Sequence, residues 1–268
     1  MLRSMYSGIG GMKNFQTKLD VIGNNIANVN TYGFKKGRVT FKEMVSQTIS
    51  GASGPGDNSG GVNPKQVGLG SQLSSIDTID TQGSLQTTGR VLDIGIQGDG
   101  YLMVDRGGTT YYTRSGNLYL DEDAQLVTSS GDLVLTKGGL TIKLNGGDAN
   151  QIKSLSISND GMINFLVDGS DIVNQEGPIG IARFNNNGGL DRVGDNLFKD
   201  TVNSGTPLPL SPGEDGAGTL ISGTLEMSNV DLSEEFTEMI VAQRGFQANT
   251  RIITTSDEIL QELVNLKR

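Results

Sequence analysis

The 268-residue chain carries a net charge of −9, with 39 glycines against 6 prolines and aromatic rings at only 5% of positions. It contains neither cysteine nor histidine, which excludes disulfides, thiolate or imidazole metal sites, and catalysis built on either side chain; no cofactor is implied. No apolar run reaches the ~18 residues of a membrane span, and residues 2–29 lack the apolar block and small-residue cleavage site of a cleavable signal peptide.

From the start of the chain, Leu2, Met5, Ile9, Met12, Leu19, Ile22 and Ile26 keep three-four spacing, with Phe15 and Val29 beside the same stripe. The spacing predicts an amphipathic helix of coiled-coil type over residues 2–29. Gly8, Gly10, Gly11 and Gly23 weaken it, at roughly 1 kcal/mol each relative to alanine, so it is not expected to be stable alone. Asn24, Asn25, Asn28 and Asn30 crowd its end. Fraying accounts for Asn28 and Asn30. Asn25 and Asn24 lie inside the stripe, where a buried amide that donates and accepts fixes register in a multi-helix interface.

Residues 31–75 read as an extended, Gly/Ser-rich connector. Residues 1–45 hold seven Lys/Arg against Asp20 and Glu43, or +5, which leaves −14 for the remainder. An acidic body with a modestly basic head argues against nucleic acid as a partner.

Residues 76–228 show short alternating runs such as LDIGIQGDGYLMV and SLSISNDGMINFLV, cut by GDG, SGD, NDG and NNGG turns at about ten-residue intervals. They predict an all-β domain. Its glycines and carboxylates form no catalytic pattern. GIQGDG (95–100) lacks the Lys-Ser/Thr ending of a phosphate loop, DEDAQL (121–126) lacks calcium-loop spacing, and the pairs Asp77/Asp80 and Asp99/Asp105 read as turn or surface residues.

Residues 229–268 predict a second amphipathic helix. Asp231 stands at its N-cap, with Glu234 three residues on. Leu232, Phe236, Met239, Phe246, Ile253, Leu260 and Val264 follow three-four spacing, broadened by Ile240, Ile259 and Leu263. TTSDE (254–258) reads as a second capping signal or a weak point in one long helix. The expected fold class is α+β, with paired, coiled-coil-like terminal helices (residues 1–30 plus 229–268) flanking the β-domain. The C-terminal stripe is wider than one partner helix covers. The excess must meet other subunits, unless both helices pack back on the β-domain of a monomer.

LDVIGNNIANVNTYGFK closely resembles the N-terminal signature of the bacterial flagellar axial proteins, the rod and hook family. LEMSNVDLSEEFTEMIVAQRGFQANTRIITTSDEILQELVNLKR resembles their C-terminal signature, and GDGYLMV, TRSGNLYLD, ISNDGMI and GDNLF are similar to their shared β-domain. The resemblance covers nearly the whole chain. It implies a non-enzymatic subunit exported through the flagellar type III apparatus and located outside the cell, in the flagellum. The terminal helices of successive copies would then pack into a tube. The polymerising residues would be Leu2, Met5, Ile9, Met12, Leu19, Ile22, Asn25 and Ile26 with Phe236, Met239, Phe246, Ile253, Leu260 and Val264. Phe41 to Val45 resembles the family's aromatic-x-x-x-hydrophobic element, read by the export gate; an ordinary strand is the other reading. The ending ITTSDEIL…LVNL favours the hook protein, which couples rod to filament, bends and transmits torque. Its partners would be distal rod, hook-cap and hook–filament junction proteins. The absence of any segment for an extra outer β-domain is equally typical of the distal rod protein, the alternative reading.

Overall fold

The computed structural model describes residues 2–55, 60–147, 151–168 and 172–266, without the side chains of Leu2, Arg3 and Gly147. It has an N-terminal helix, a mostly β middle and a C-terminal helix, the expected α+β arrangement. The chain divides into two compact units. One comprises Met1–Ala27, Gly37–Thr78 and Asp231–Arg268; the other comprises Asn28–Lys36 and Ile79–Val230.

In the first unit, helix α1 (Leu2–Ala27) packs against helix α2 (Leu232–Leu266). The helices run antiparallel. Gly8 lies beside Ile253, Met12 Sδ accepts from Thr250 Oγ1 at 3.4 Å, Phe15 lies over Gly245, and Lys18 pairs with Glu238. Asp231 caps α2 as expected, its Oδ1 accepting from the Ser233 amide at 2.8 Å. TTSDE does not break the helix. The hydroxyls of Thr254, Thr255 and Ser256 donate back to carbonyls three and four residues earlier and stay within the helical ladder.

The same unit contains four strands in and just beyond the 31–75 stretch read as an extended connector. These are β1 (Gly37–Glu43), β2 (Ser46–Ser50), β3 (Lys65–Gly68) and β4 (Ser71–Thr78), with β1 pairing β4 and β2 pairing β3, both antiparallel. The β1–β4 ribbon packs on α1 through a Phe15–Phe41 ring contact at 6.4 Å and an Asn14–Ser71 hydrogen bond of 2.9 Å.

The second unit is built on a nine-stranded sheet. Its path runs Asp191–Gly194, Leu197–Lys199, Thr109–Thr113, Tyr101–Arg106, Leu133–Val134, Leu126–Thr128, Leu118–Leu120. Ile181–Arg183 also pairs with Tyr101–Arg106, and Leu208–Leu210 pairs with Ile181–Arg183. A three-stranded sheet (Ile152–Ile157, Ile163–Val167, Val173–Glu176) and two strand pairs complete it, and every described pairing is antiparallel. Alternating Ile, Leu and Val fill the main core, including Ile94, Leu102, Leu126, Ile163 and Leu220. Tyr101, Tyr112, Phe184 and Phe198 form a smaller aromatic cluster with edge-on ring contacts.

Candidate functional site

The helical surface comes first. The face that α2 turns toward α1 includes small and polar side chains: buried Glu235, Ala242 and Ser256, with Gly245 and Asn249 between. A Cβ on Gly245 would stand 2.5 Å from the Phe15 ring, so only glycine permits this approach. Large apolar residues of α2 instead stay open to solvent. Phe236 is 50% exposed, Ile240 52% and Val264 64%, and Leu232, Val241, Ile259, Leu263 and Leu266 are exposed as well. Met239, Phe246, Ile253 and Leu260 are half-buried.

On α1, Ile22 and Asn25 are buried, Met5, Met12, Leu19 and Ile26 are half-buried, and Ile9 is exposed beside exposed Tyr6. The side chain of Leu2 lies outside the described residues, as do Lys267 and Arg268. The helices also differ in length. At 1.5 Å per residue, the 26 residues of α1 span about 39 Å and the 35 of α2 about 52 Å. Because Gly8 already sits at Ile253, the last turns of α2 reach beyond α1. A surface groove lined by Asp257, Leu260, Gln261, Val264 and Asn265 lies there.

Asn25 has a local task. Its Nδ2 donates to Gly37 O and its Oδ1 accepts from Gly37 N, both at 2.9 Å, so the side chain pairs with one residue as a strand neighbour would. Nδ2 also reaches Glu235 Oε2 of α2 at 3.2 Å. Phe41 lies on β1, half-covered by Phe15, whereas Val45 is 81% exposed between β1 and β2.

Sequence reasoning missed a buried charge cluster in the second unit. Residues 28–36 form a strap on the β-domain. Gly33 adopts a left-handed conformation (φ 69°) against the Arg114 backbone, where a Cβ would stand 2.7 Å away, and its amide donates to Glu226 O at 2.8 Å. Arg192 lies over the Phe34 ring and donates to Lys35 O. Lys35 is 1% exposed; its Nζ donates to Glu226 Oε1 at 2.8 Å and Thr81 O at 2.9 Å, with Asp80 Oδ1 at 3.8 Å. The other Glu226 oxygen takes Arg114 Nε at 2.6 Å, while Arg114 spends its remaining donors on the carbonyls of Gly98 and Gly100.

Burial alone would raise the Glu226 carboxyl, but the charges and hydrogen bonds of Arg114 and Lys35 outweigh it and hold it below the usual carboxylate range. Burial, then the charge and hydrogen bond of Asp80, push the Tyr101 phenol far above its ordinary value. Asn229 ties the strap to its neighbours: Oδ1 accepts from Lys36 N at 2.7 Å and Nδ2 donates to Ile79 O at 2.8 Å. The paired charges and raised phenol are structural, with no group poised for proton transfer. Among the described residues no cluster of carboxylates is placed to hold a metal ion, and no helix is long and apolar enough to cross a membrane.

Comparison with known proteins adds the family. A model described as flagella basal body rod protein matches residues 5–35, one described as flagellar hook protein FlgE/F/G D1 domain matches 95–165, and one described as flagellar basal body rod FlgEFG protein C-terminal matches 221–266. The flagellar basal-body rod protein FlgG of Bacillus subtilis is 60% identical over 269 residues, covering all of both chains. The chain belongs to the flagellar rod and hook family. FlgG of Borreliella burgdorferi is 39% identical over 270 residues, again covering both chains whole. The hook protein FlgE of the same organism is 32% identical, and the alignment needs 441 positions to cover both chains. Members of this family are structural parts of the flagellum, not enzymes. The preference for hook drawn from the C-terminal ending is not confirmed by this pattern, and the rod alternative fits it better, because the rod proteins match at higher identity and at this chain's own length.

Proposed function

We propose that the chain is a rod subunit of the flagellar basal body, of the distal-rod type, which polymerises through its terminal helices. The observation that carries the reading is the inverted face of α2. Small and polar side chains, with Ile253, meet α1, while large apolar ones, Phe236, Ile240, Ile259, Leu263 and Val264 among them, stay about half-exposed or more in the single chain. Monomers rarely leave so many large apolar side chains of one helix in water. At roughly 1.5–3 kcal/mol for full burial of such a side chain, covering the exposed half of each amounts to several kcal/mol per subunit. That driving force arises only when copies gather. In this reading residues 1–30 and 229–268 form the polymerisation segment, and α1 and α2 wind as coiled-coil-like partners with neighbouring copies and adjoining rod or hook components. The 60% identity to a rod protein of equal length supports rod over hook. Export through the flagellar type III apparatus, with Phe41 and Val45 as the gate element, belongs to the same proposal.

The test pairs localisation with assembly. Gold-labelled antibody on purified flagellar bases is expected on the straight shaft; labelling of the curved segment outside the cell would exclude the rod assignment. Phe236→Asp and Leu260→Asp are expected to abolish polymers while the β-domain keeps its thermal transition. Normal polymers from both variants would refute the helical interface.

A further inference from the structure

The second unit contains a cavity of about 180 Å³ that the assembly proposal does not use. Four turns meet around it, at residues 30–32, 113–117, 128–130 and 195–197. Each is fixed from behind, the 30–32 turn by Thr31 Oγ1 donating to Asn28 Oδ1 at 3.1 Å. Thr113 Oγ1 donates to Asn196 O at 2.9 Å, Ser115 Oγ to Asn117 Oδ1 at 2.6 Å, and Thr128 Oγ1 to Asp132 Oδ2 at 3.1 Å. Asp195 and Asn196 both hold left-handed conformations in their hairpin turn. The walls are therefore set before any ligand arrives, which lowers the entropy lost on binding.

The chemistry of the lining is narrow. It consists mostly of residues with hydroxyl and amide side chains, and Leu197 and Tyr32 are the sole lining residues with a large apolar group. Tyr32 Oη, Asn117 Nδ2, Ser129 Oγ and Ser130 Oγ make no hydrogen bond among the described residues, so donors and acceptors remain available. Asp195 is the lone charged member, and Arg106 Nη1 already neutralises it at 3.1 Å. A charged ligand has no counter-charge here, and a lipid or aromatic ligand lacks an apolar wall. We propose that this pocket binds one ring of a neutral saccharide. The sugar hydroxyls would exchange hydrogen bonds with Asn117, Ser129 and Ser130, and the ring face would lie on Tyr32. The inference rests on the second unit alone and stands or falls apart from the rod assignment.

The experiment is an NMR titration of the isotope-labelled full chain with N-acetylglucosamine and its soluble trimer. Saturable shifts confined to the four turns are expected. Tyr32→Ala should weaken binding about tenfold; because Tyr32 lies in the strap, Ser129→Leu with Ser130→Leu, both exposed in the 128–130 turn, is the companion variant with the same expected loss and an unchanged melting temperature. Co-sedimentation with purified peptidoglycan sacculi separates a polymeric source from a free one. If the free trimer displaces the protein, the glycan is the ligand. Shifts that fail to saturate or that survive in the turn variants overturn the proposal. So does sedimentation that the trimer cannot compete, which would mark attraction to peptide or charge.

Discussion

Replacing Glu226 with glutamine tests the buried cluster most directly. Glu226 and Lys35 are each 1% exposed, and the same carboxylate also holds Arg114 and the Gly83 amide, the latter at 2.9 Å. The amide keeps the shape but removes the charge opposite two buried cations. Arg114 keeps its two carbonyl acceptors, whereas Lys35 is left with Thr81 O and an Asp80 oxygen 3.8 Å away. Breaking a buried ion pair from one side costs about 3–5 kcal/mol. Because glutamine still accepts one hydrogen bond, the lower end applies, about 3 kcal/mol. For a unit in the range of roughly 150–250 residues, at 2–4 °C per kcal/mol, that lowers the β-domain melting temperature by about 6–12 °C. Differential scanning calorimetry of the unassembled full chain reads it. Lys35→Met, which leaves Glu226 still paired with Arg114, is expected to lower the temperature less. A Glu226→Gln shift under 2 °C, or a larger effect from Lys35→Met, would refute this account of the cluster.

Three further outcomes are expected. The folded Glu226 carboxyl titrates below its unfolded value, so its contribution is present above about pH 4.3, the ordinary glutamate value, and is lost as pH falls through the lower folded value; acid titration followed by near-UV circular dichroism should show a midpoint that rises in Lys35→Met. Gly245→Val puts a branched side chain where a single Cβ already meets Phe15 at 2.5 Å; overpacking of about 1–3 kcal/mol should raise the critical concentration for assembly, read by sedimentation. Asn25→Ala removes both bonds to Gly37 from a half-buried amide and carbonyl, at about 1 kcal/mol, the low end for such groups, read as faster hydrogen exchange at the start of β1.

Much of the fold was legible because its periodicities are long. The three-four spacing of Leu232 to Val264 is sustained over many turns, and Asp231 marks its start; the alternation from residue 92 onward gives strands. Strands β1 to β4 were not legible, because the β2–β3 ribbon is exposed almost throughout, β3 at every position, and the β1–β4 ribbon is only half-buried against α1, which leaves little alternation to detect. Helical spacing also could not tell which apolar residues of α2 face α1, since glycine and alanine occupy that seam. The charge cluster was hidden for another reason. Lys35, Arg114 and Glu226 look like ordinary surface residues, and their partners lie 112 and 191 positions apart. The one available signal was local: an aromatic–glycine–aromatic turn followed by two lysines, so specific a pattern for a stretch read as a connector.

The strap also sets a schedule for folding. Lys35 from the first seventh of the chain and Glu226 and Asn229 from the last fifth complete the same interior. Loops this long must close before the gain from that interior appears. Whichever terminus leads, a chain emerging as a thread stays unfinished at its centre until nearly all of it has come through, and clipping either end by forty residues leaves the β-domain without a piece of its own wall.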